Sequence, residues 1–510
     1  MENKDYLEIG KASDVKNNKE RLIYRALEIF PGLLSWTTLA LLFFFCWQKP
    51  LWVAIFAIVF DMLWLLRTIY RSFLLKSGYD KMRENEEKDW LKKVKGLNKD
   101  WRQYYHLVVY PMYKEPLSIV RESLTALEKN DYPKDRMIVV LALEERARED
   151  VEKIAEVTKK EFGNSFFKFL VTWHPGNIPG ELAGKGSNEA WASKKAKKEI
   201  IDPLKIPYEK IIFSSFDIDT VVFPKYFSCL TYRYLTSDNP TRRSFQPIPL
   251  FINNVWKVPV LSRIFSFSST FWNTMNQADP KNMVTFSSHS MSFKALVEVG
   301  FRQTNVVSDD SRIFWQCFLQ FDGDYKVLPL YYPVSMDAVV SRSYIRTTIN
   351  VYKQQRRWAY GVGELPYLLF GFMKNKKISL KKKIIFAFSE IEGHWSWATA
   401  SFVIFFLGWL PLVIGGPEFA QTLFSFNLPR VLRVLLTIAM VGLISSAYFS
   451  ILLLPPKPPK YGRYKYVVMA LEWIIIPIIM IIFTPLPALE AQTRWMFGKY
   501  LGFWPTEKIR

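Results

Sequence analysis

The sequence predicts an α/β domain built on a parallel sheet and joined to α-helical membrane segments. Three observations carry this. Short apolar runs alternate with amphipathic stretches of helical length inside residues 101–341. Long apolar runs lie on both sides of that region. Lys and Arg gather beside those runs, the pattern of loops on the cytoplasmic side of a bilayer.

The elements follow in order. Residues 1–28 are charged and polar and predict a cytosolic N-terminal segment with no removable signal peptide. Ile29–Trp47 and Trp52–Leu66, joined by Gln48-Lys49-Pro50, predict a transmembrane hairpin over 29–70, since ~20 apolar residues cross a bilayer. Asp61 lies inside the second run, close to Arg67. Residues 71–100 predict a charged linker or surface helix.

His106–Tyr110, Met137–Leu143, Lys168–Trp173 and Ile211–Phe216 are short apolar runs suited to buried parallel strands. Leu117–Glu128, Ala147–Phe162 and Ser187–Lys198 alternate with them as amphipathic helices. Ligands of such sheets bind at the carboxyl ends of the strands. Those ends carry Tyr113-Lys114-Glu115, Glu144-Glu145 and Asp217-Ile218-Asp219.

A more aromatic half runs from about Pro224 to Pro333 and contains a predicted helix over Ser308–Leu319. Residues 342–383 predict interfacial amphipathic helices, because Arg342, Arg346, Lys353, Arg356 and Arg357 form a basic side opposite Ile345 and Ile349. Trp395–Ile414, Val431–Leu454 and Tyr466–Leu486 predict C-terminal membrane helices within 384–490. The last run is interrupted by Pro477 and Pro485, so it crosses or bends back. Residues 491–510 form a C-terminal tail.

The formal charge of +21 over 510 residues admits nucleic acid, anionic lipid or an anionic substrate. Its position beside apolar runs argues for the lipid bilayer and against nucleic acid. Cys46, Cys229 and Cys317 are far apart in sequence with no CxxC spacing and support neither a disulfide framework nor a zinc site.

Asp217 and Asp219 leave a strand with alternate side chains on one side, so both can face one cleft. Oxygen donors of this kind suit Mg2+ or Mn2+ bridging to substrate phosphates; a solvated turn explains many such pairs. Asp309-Asp310 opens a helix, where Ser308 is a good cap and acids in the first turn complement the dipole, or where one acid serves as a general base. Gln354-Gln355-Arg356-Arg357-Trp358 combines a guanidinium fork for phosphate with an indole face for a sugar ring; a basic interfacial helix is the plainer alternative. Lys185, in Gly184-Lys185-Gly186, can approach a diphosphate or belong to a turn. His289 can line an acceptor site or cap the stretch after it.

With these residues in view, the chain resembles membrane-embedded family-2 glycosyltransferases of the cellulose-synthase and hyaluronan-synthase type, from about Leu107 to Trp358. The resemblance implies an α/β GT-A catalytic domain (Rossmann-like, mostly parallel sheet) over 101–341, plus the α-helical transmembrane region. It implies nucleotide binding by Glu115 and Glu144, and a metal on Asp219 with Asp217. It makes Asp310, next to Asp309, the expected base. The Q(Q/R)xRW motif is matched by Gln354, Gln355, Arg357 and Trp358, implying acceptor contacts by the glutamines and Trp358 and diphosphate contacts by Arg357. Phe503-Trp504-Pro505-Thr506-Glu507-Lys508 resembles the family's gating loop, with Thr506 and Lys508 in place; it implies a cytosolic tail and two C-terminal crossings. Lys114 and Glu144-Glu145 depart from the usual residues of the base-and-ribose pocket.

The expected function is an inverting transfer from a nucleotide-diphosphate sugar, expected to be a UDP-sugar, to a glycan or lipid-linked acceptor. It would occur at the cytosolic face of the cell membrane, as a single or a processive step. The alternatives are a transporter or flippase, or an inactive scaffold with a nucleotide-binding domain.

Overall fold

The computed structural model describes residues 4–502. Its centre is an eight-stranded sheet: β1 (Tyr105–Met112), β2 (Met137–Glu144), β3 (Lys168–His174), β4 (Ile211–Ser215), β5 (Val221–Val222), β6 (Arg243–Leu250), β7 (Ser290–Ser292) and β8 (Lys326–Ser335). The order is β3-β2-β1-β4-β7-β6-β8-β5. β1 through β4 fall on the predicted apolar runs.

β2 shows why. All eight of its residues are buried, and Val, Ile and Leu dominate, as a strand covered on both faces requires. Alternate residues serve opposite faces. Leu107, Val109, Ile138 and Val140 enter one hydrophobic core, whereas Val108, Tyr110, Val139 and Leu141 enter the other.

The sheet is mixed yet mostly parallel, as expected: four of the seven pairings among its described strands are parallel. β1 pairs in parallel with β2 and β4, β2 with β3, and β6 with β8. β7 is antiparallel to both β4 and β6, and β5 to β8. β7 is the three-residue Ser-Met-Ser, too short and too polar for an apolar-run signal. It carries the chain reversal between the two halves. β1 lies between β2 and β4, so the crevice at the carboxyl ends of these strands is the topological switch point.

Helices occupy the predicted stretches at Leu117–Glu128, Arg148–Phe162, Lys185–Ala196, Asp309–Gln320 and Tyr344–Ala359. Four helical segments are long and apolar enough to cross a membrane: Asn18–Gln48, Pro50–Glu87, Leu423–Leu452 and Tyr464–Met496. The first two break at Lys49, with Pro50 at the start of the second, where its missing N–H costs nothing. The second helix runs through the expected linker to Glu87 because Gly78 lets it touch the Val260–Ala278 helix; a Cβ there would meet the Thr274 carbonyl at 2.4 Å. The Trp395–Ile414 run is divided between helices Leu380–Phe406 and Leu410–Ile414. The last run is broken by a 3-10 turn at Glu472–Ile475, resumes as helix Ile476–Ile482 and is followed by a further helix from Pro485.

The N-terminal segment is not a loose extension. Arg312 and Gln303 donate to the carbonyls of Ile9 (3.1 Å) and Glu8 (2.9 Å), and Tyr367 donates to that of Leu7 (3.1 Å). This strap holds the Asp309–Gln320 helix from outside.

Candidate active site

Four acids and two bases converge beyond the carboxyl end of β4. Lys185 opens the Lys185–Ala196 helix, and its Nζ lies 2.7 Å from Asp217 and 3.0 Å from each oxygen of Asp310. Arg302 is 1% exposed and reaches Glu189 (2.7 Å), Asp309 (3.0 Å) and Asp310 (3.1 Å). Glu189 also accepts from Ser215 of β4 at 2.7 Å, and Ser287 donates to Asp217 at 2.7 Å.

The electrostatics separate two neighbouring acids. Burial, then the adjacent Asp310 charge, pushes Asp309 up to about 6. Burial also acts on Asp310, but the Lys185 and Arg302 charges outweigh it and hold its carboxyl below the usual range. Burial pushes Glu189 up to about 7. For Lys185, burial works against the ammonium, yet Asp217 and Asp310 keep it charged, well above the usual lysine range.

Gly186 permits the closeness of the acids: a Cβ there would sit 2.8 Å from the Cβ of Asp309. Ser308, a good cap by sequence, does not cap its helix; its hydroxyl donates to Glu364, which also receives Arg312 at 2.5 Å.

Asp217 and Asp219 have different surroundings. Asp219 is 1% exposed and its Oδ2 accepts the Asp337 N–H at 2.8 Å, whereas Asp217 contacts Lys185 at 2.7 Å. Among the described residues no group of three or more His, Cys, Asp and Glu forms a metal cage. A hard divalent ion needs none: Mg2+ is commonly held by one or two carboxylates plus substrate phosphates. The all-oxygen donors Asp217 and Asp219 fit that arrangement.

Glu115 folds back so that its Oε2 accepts the N–H groups of Tyr113 (2.8 Å) and Lys114 (3.1 Å). Glu144 pairs with Arg146, whose guanidinium lies 4.5 Å above the Tyr113 ring. The two glutamates thus flank one aromatic–cation stack at the ends of adjacent strands β1 and β2.

In the Tyr344–Ala359 helix, Gln355 is buried and Gln354 half-buried. Arg356 turns away to Glu490 (2.6 Å), whereas the charge of Arg357 reaches Asp309. Trp358 lies edge-on to Phe286, with ring centroids 6.0 Å apart, and Phe286 is 6.0 Å from Trp272. One residue before Phe286, Thr285 donates to the Asp310 carbonyl at 2.6 Å. This links the indole to the acid-bearing helix.

His289 is fully buried, its Nδ1 2.9 Å from the Phe286 carbonyl and its Nε2 3.4 Å from Arg302. Burial, reinforced by Arg302, lowers it to about 3, so it is neutral and shapes the loop. Thr506 and Lys508, with the rest of the gating-loop-like motif, lie outside the described residues.

Sequence reasoning missed Glu189, Arg302, Ser287 and Glu364. Glu189 had a signal, four residues after Lys185 on one helix face. Arg302 had none.

No family model matches the chain, and no curated protein sequence matches it. Among solved structures it is similar to the mannosyltransferase PcManGT from Pyrobaculum calidifontis in complex with GDP-Man and Mn2+. Identity is 14%, coverage 83% of this chain and 99% of that one, and the TM-score 0.36. It is also similar to S. aureus TarS 1–349 in complex with UDP-GlcNAc, at 11% identity, 78% and 93% coverage and a TM-score of 0.36. At TM-scores this low the likeness carries no argument about this chain.

Proposed function

We propose that this chain is a membrane-bound glycosyltransferase of the family-2 type, moving a sugar from a nucleoside diphosphate to a hydroxyl of a glycan or lipid-linked acceptor with inversion. One observation carries the reading. Asp217, Asp310 and Lys185 meet at the switch point of the sheet, with the Arg357–Trp358 pair beside the same helix start.

Glu115 and Glu144 bind the nucleoside end of the donor, uridine being the reading we favour. Asp217 and Asp219 would hold Mg2+ or Mn2+, which supplies positive charge to the diphosphate when bound. Lys185 leaves its carboxylates for the phosphate oxygens as the donor arrives. That exchange releases Asp310 from a cation and lets its pKa rise toward that of a working base. Asp310 then accepts the proton of the acceptor hydroxyl while its oxygen forms the new bond to the anomeric carbon. The bond from that carbon to the diphosphate breaks, and Arg357 and Lys185 neutralise the departing charge. Asp309, paired with Arg302, positions Asp310. Trp358 offers its face to the acceptor ring, with Gln354 and Gln355 on the same helix; His289 supports the loop that carries Phe286.

The apolar helices and their flanking Lys and Arg support a cell-membrane enzyme with a cytosolic catalytic domain. Single and repeated transfer use the same chemistry. The test is Asp310→Asn in purified full chain, with a nucleotide-sugar panel and Mn2+. Transfer is abolished and donor binding persists; loss of both together would assign Asp310 a structural role. Release of free nucleoside diphosphate with a glycosylated product separates this reading from a transporter or an inactive scaffold.

A further inference from the structure

The Pro50–Glu87 helix carries Arg67 and Arg71 one turn apart. Arg67 is paired, its two Nη atoms 2.6 and 3.3 Å from the carboxylate oxygens of Glu392 on the Leu380–Phe406 helix. Glu392 also accepts from Ser396 at 2.8 Å. Arg71 lies near enough to feel the charges of both Arg67 and Glu392. It is half-buried, and among the described residues it makes no hydrogen bond or ion pair. Asp279 accepts from the Tyr70 hydroxyl at 3.3 Å. Two guanidinium groups therefore face one carboxylate in a site partly withdrawn from water. A withdrawn charge without a partner is costly, so the balance lacks one anion. The planar fork of arginine suits phosphate oxygens.

The surroundings say what carries that phosphate. Leu66, Tyr70 and Phe73 form an exposed stripe at i, i+4 and i+7 beside the two arginines. On the facing helix Ile384, Ile385 and Phe388 are exposed in the two turns before Glu392, Phe388 by 69%. A soluble anion has no use for such flanks; a molecule with an anionic head and hydrocarbon chains does.

We propose that Arg71 and Arg67 form a site for the phosphate of a membrane lipid, with its chains along Leu66, Tyr70, Phe73 and Phe388. The proposal rests on these helices lying in a bilayer and is independent of sugar transfer. Recovery of the full chain in the soluble fraction would remove that premise and overturn the site.

The experiment is native mass spectrometry of the full chain, titrated with phosphatidic acid or phosphatidylcholine. The wild type is expected to retain one phosphatidic acid about tenfold more tightly than phosphatidylcholine, as charge-assisted hydrogen bonds allow. Arg71→Gln should bring the two lipids within about twofold, and Arg71→Lys should fall between. Equal preference in wild type and Arg71→Gln overturns the proposal. So does full displacement by inorganic phosphate, which would make the ligand a soluble anion. Should Arg71→Gln fail to fold, a photoactivatable phosphatidic acid on the wild type decides. Cross-links within residues 66–73 and 384–392 support the site, and cross-links confined elsewhere overturn it.

Discussion

Arg302→Gln removes a buried cation that touches Glu189, Asp309 and Asp310 at once. Breaking a buried ion pair by deleting one partner costs about 3–5 kcal/mol, because the remaining charge has neither water nor counterion. Here the stranded acids have an escape. Asp309 and Glu189 already sit high, at about 6 and about 7, and can take up protons. Below those values the substitution strands few charges. Above them each acid must be kept neutral against the solution, at about 1.4 kcal/mol per pH unit. The variant is therefore expected to lose about 3–5 kcal/mol at pH 8 and about 1–2 kcal/mol at pH 5.5. With about 2.1 cal/mol/K of unfolding entropy per residue over 510 residues, ~1 °C per kcal/mol, that lowers the unfolding midpoint at pH 8 by roughly 3–5 °C. Cys46, Cys229 and Cys317 are all buried, so a thiol-reactive fluorophore reports unfolding of the detergent-solubilised chain. Equal midpoints at pH 8, or a deficit that grows on acidification, would refute the assignment of Arg302 as the counterion of the cluster.

The wild-type pH dependence has a worked sign. Glu189 carries a folded-state pKa raised from 4.5 to about 7, so its stabilising proton is fully present below about 4.5 and lost as pH rises through about 7. Glu189→Gln keeps the shape without the charge and should flatten thermal stability across that window; an unchanged slope would point to other groups. Gly186→Ala drives a methyl into the Asp309 Cβ, 2.8 Å away, and should cost about 1–3 kcal/mol with loss of transfer. Normal stability and turnover in that variant would contradict the close approach. Trp358→Ala should raise the acceptor KM about fivefold or more, from the ~1 kcal/mol of a lost ring contact, while donor hydrolysis persists. Chelation with EDTA should stop transfer and be reversed by Mn2+; undiminished transfer would exclude Asp217 and Asp219 as ligands of a required ion.

Legibility followed the length and chemistry of the signal. β1 to β4 could be read because each carries a run of apolar residues; β1, β2 and β4 are buried along almost their whole length, and only the edge strand β3 is mostly half-buried. The acid pair after β4 could be read because strand ends at a switch point are where polar side chains have reason to gather. β7 could not be read: Ser290-Met291-Ser292 is a strand only through its hydrogen bonds to β4 and β6. Ser308 had the right chemistry for a helix cap and was taken instead by Glu364, fifty-six residues away. Such a contact is invisible to local reasoning.

What the amino-acid order determined was the inventory: parallel strands alternating with helices, apolar segments edged with Lys and Arg, and acids and a guanidinium–indole pair at their ends. Those features arise from neighbours within a few residues, where periodicity and burial leave a pattern. Only the tertiary structure decided the pairing of charges. Insertion of β7 beside β4 carries the loop before it, and the chain through Arg302, back to the cluster beyond β4. The N-terminal strap is held through backbone carbonyls, which carry no side-chain signature: Ile9 by Arg312 of the acid-bearing helix, Glu8 by Gln303 before it and Leu7 by Tyr367. Which carboxylate stays charged is set by burial and by cations far away in sequence, and that quantity exists only after folding.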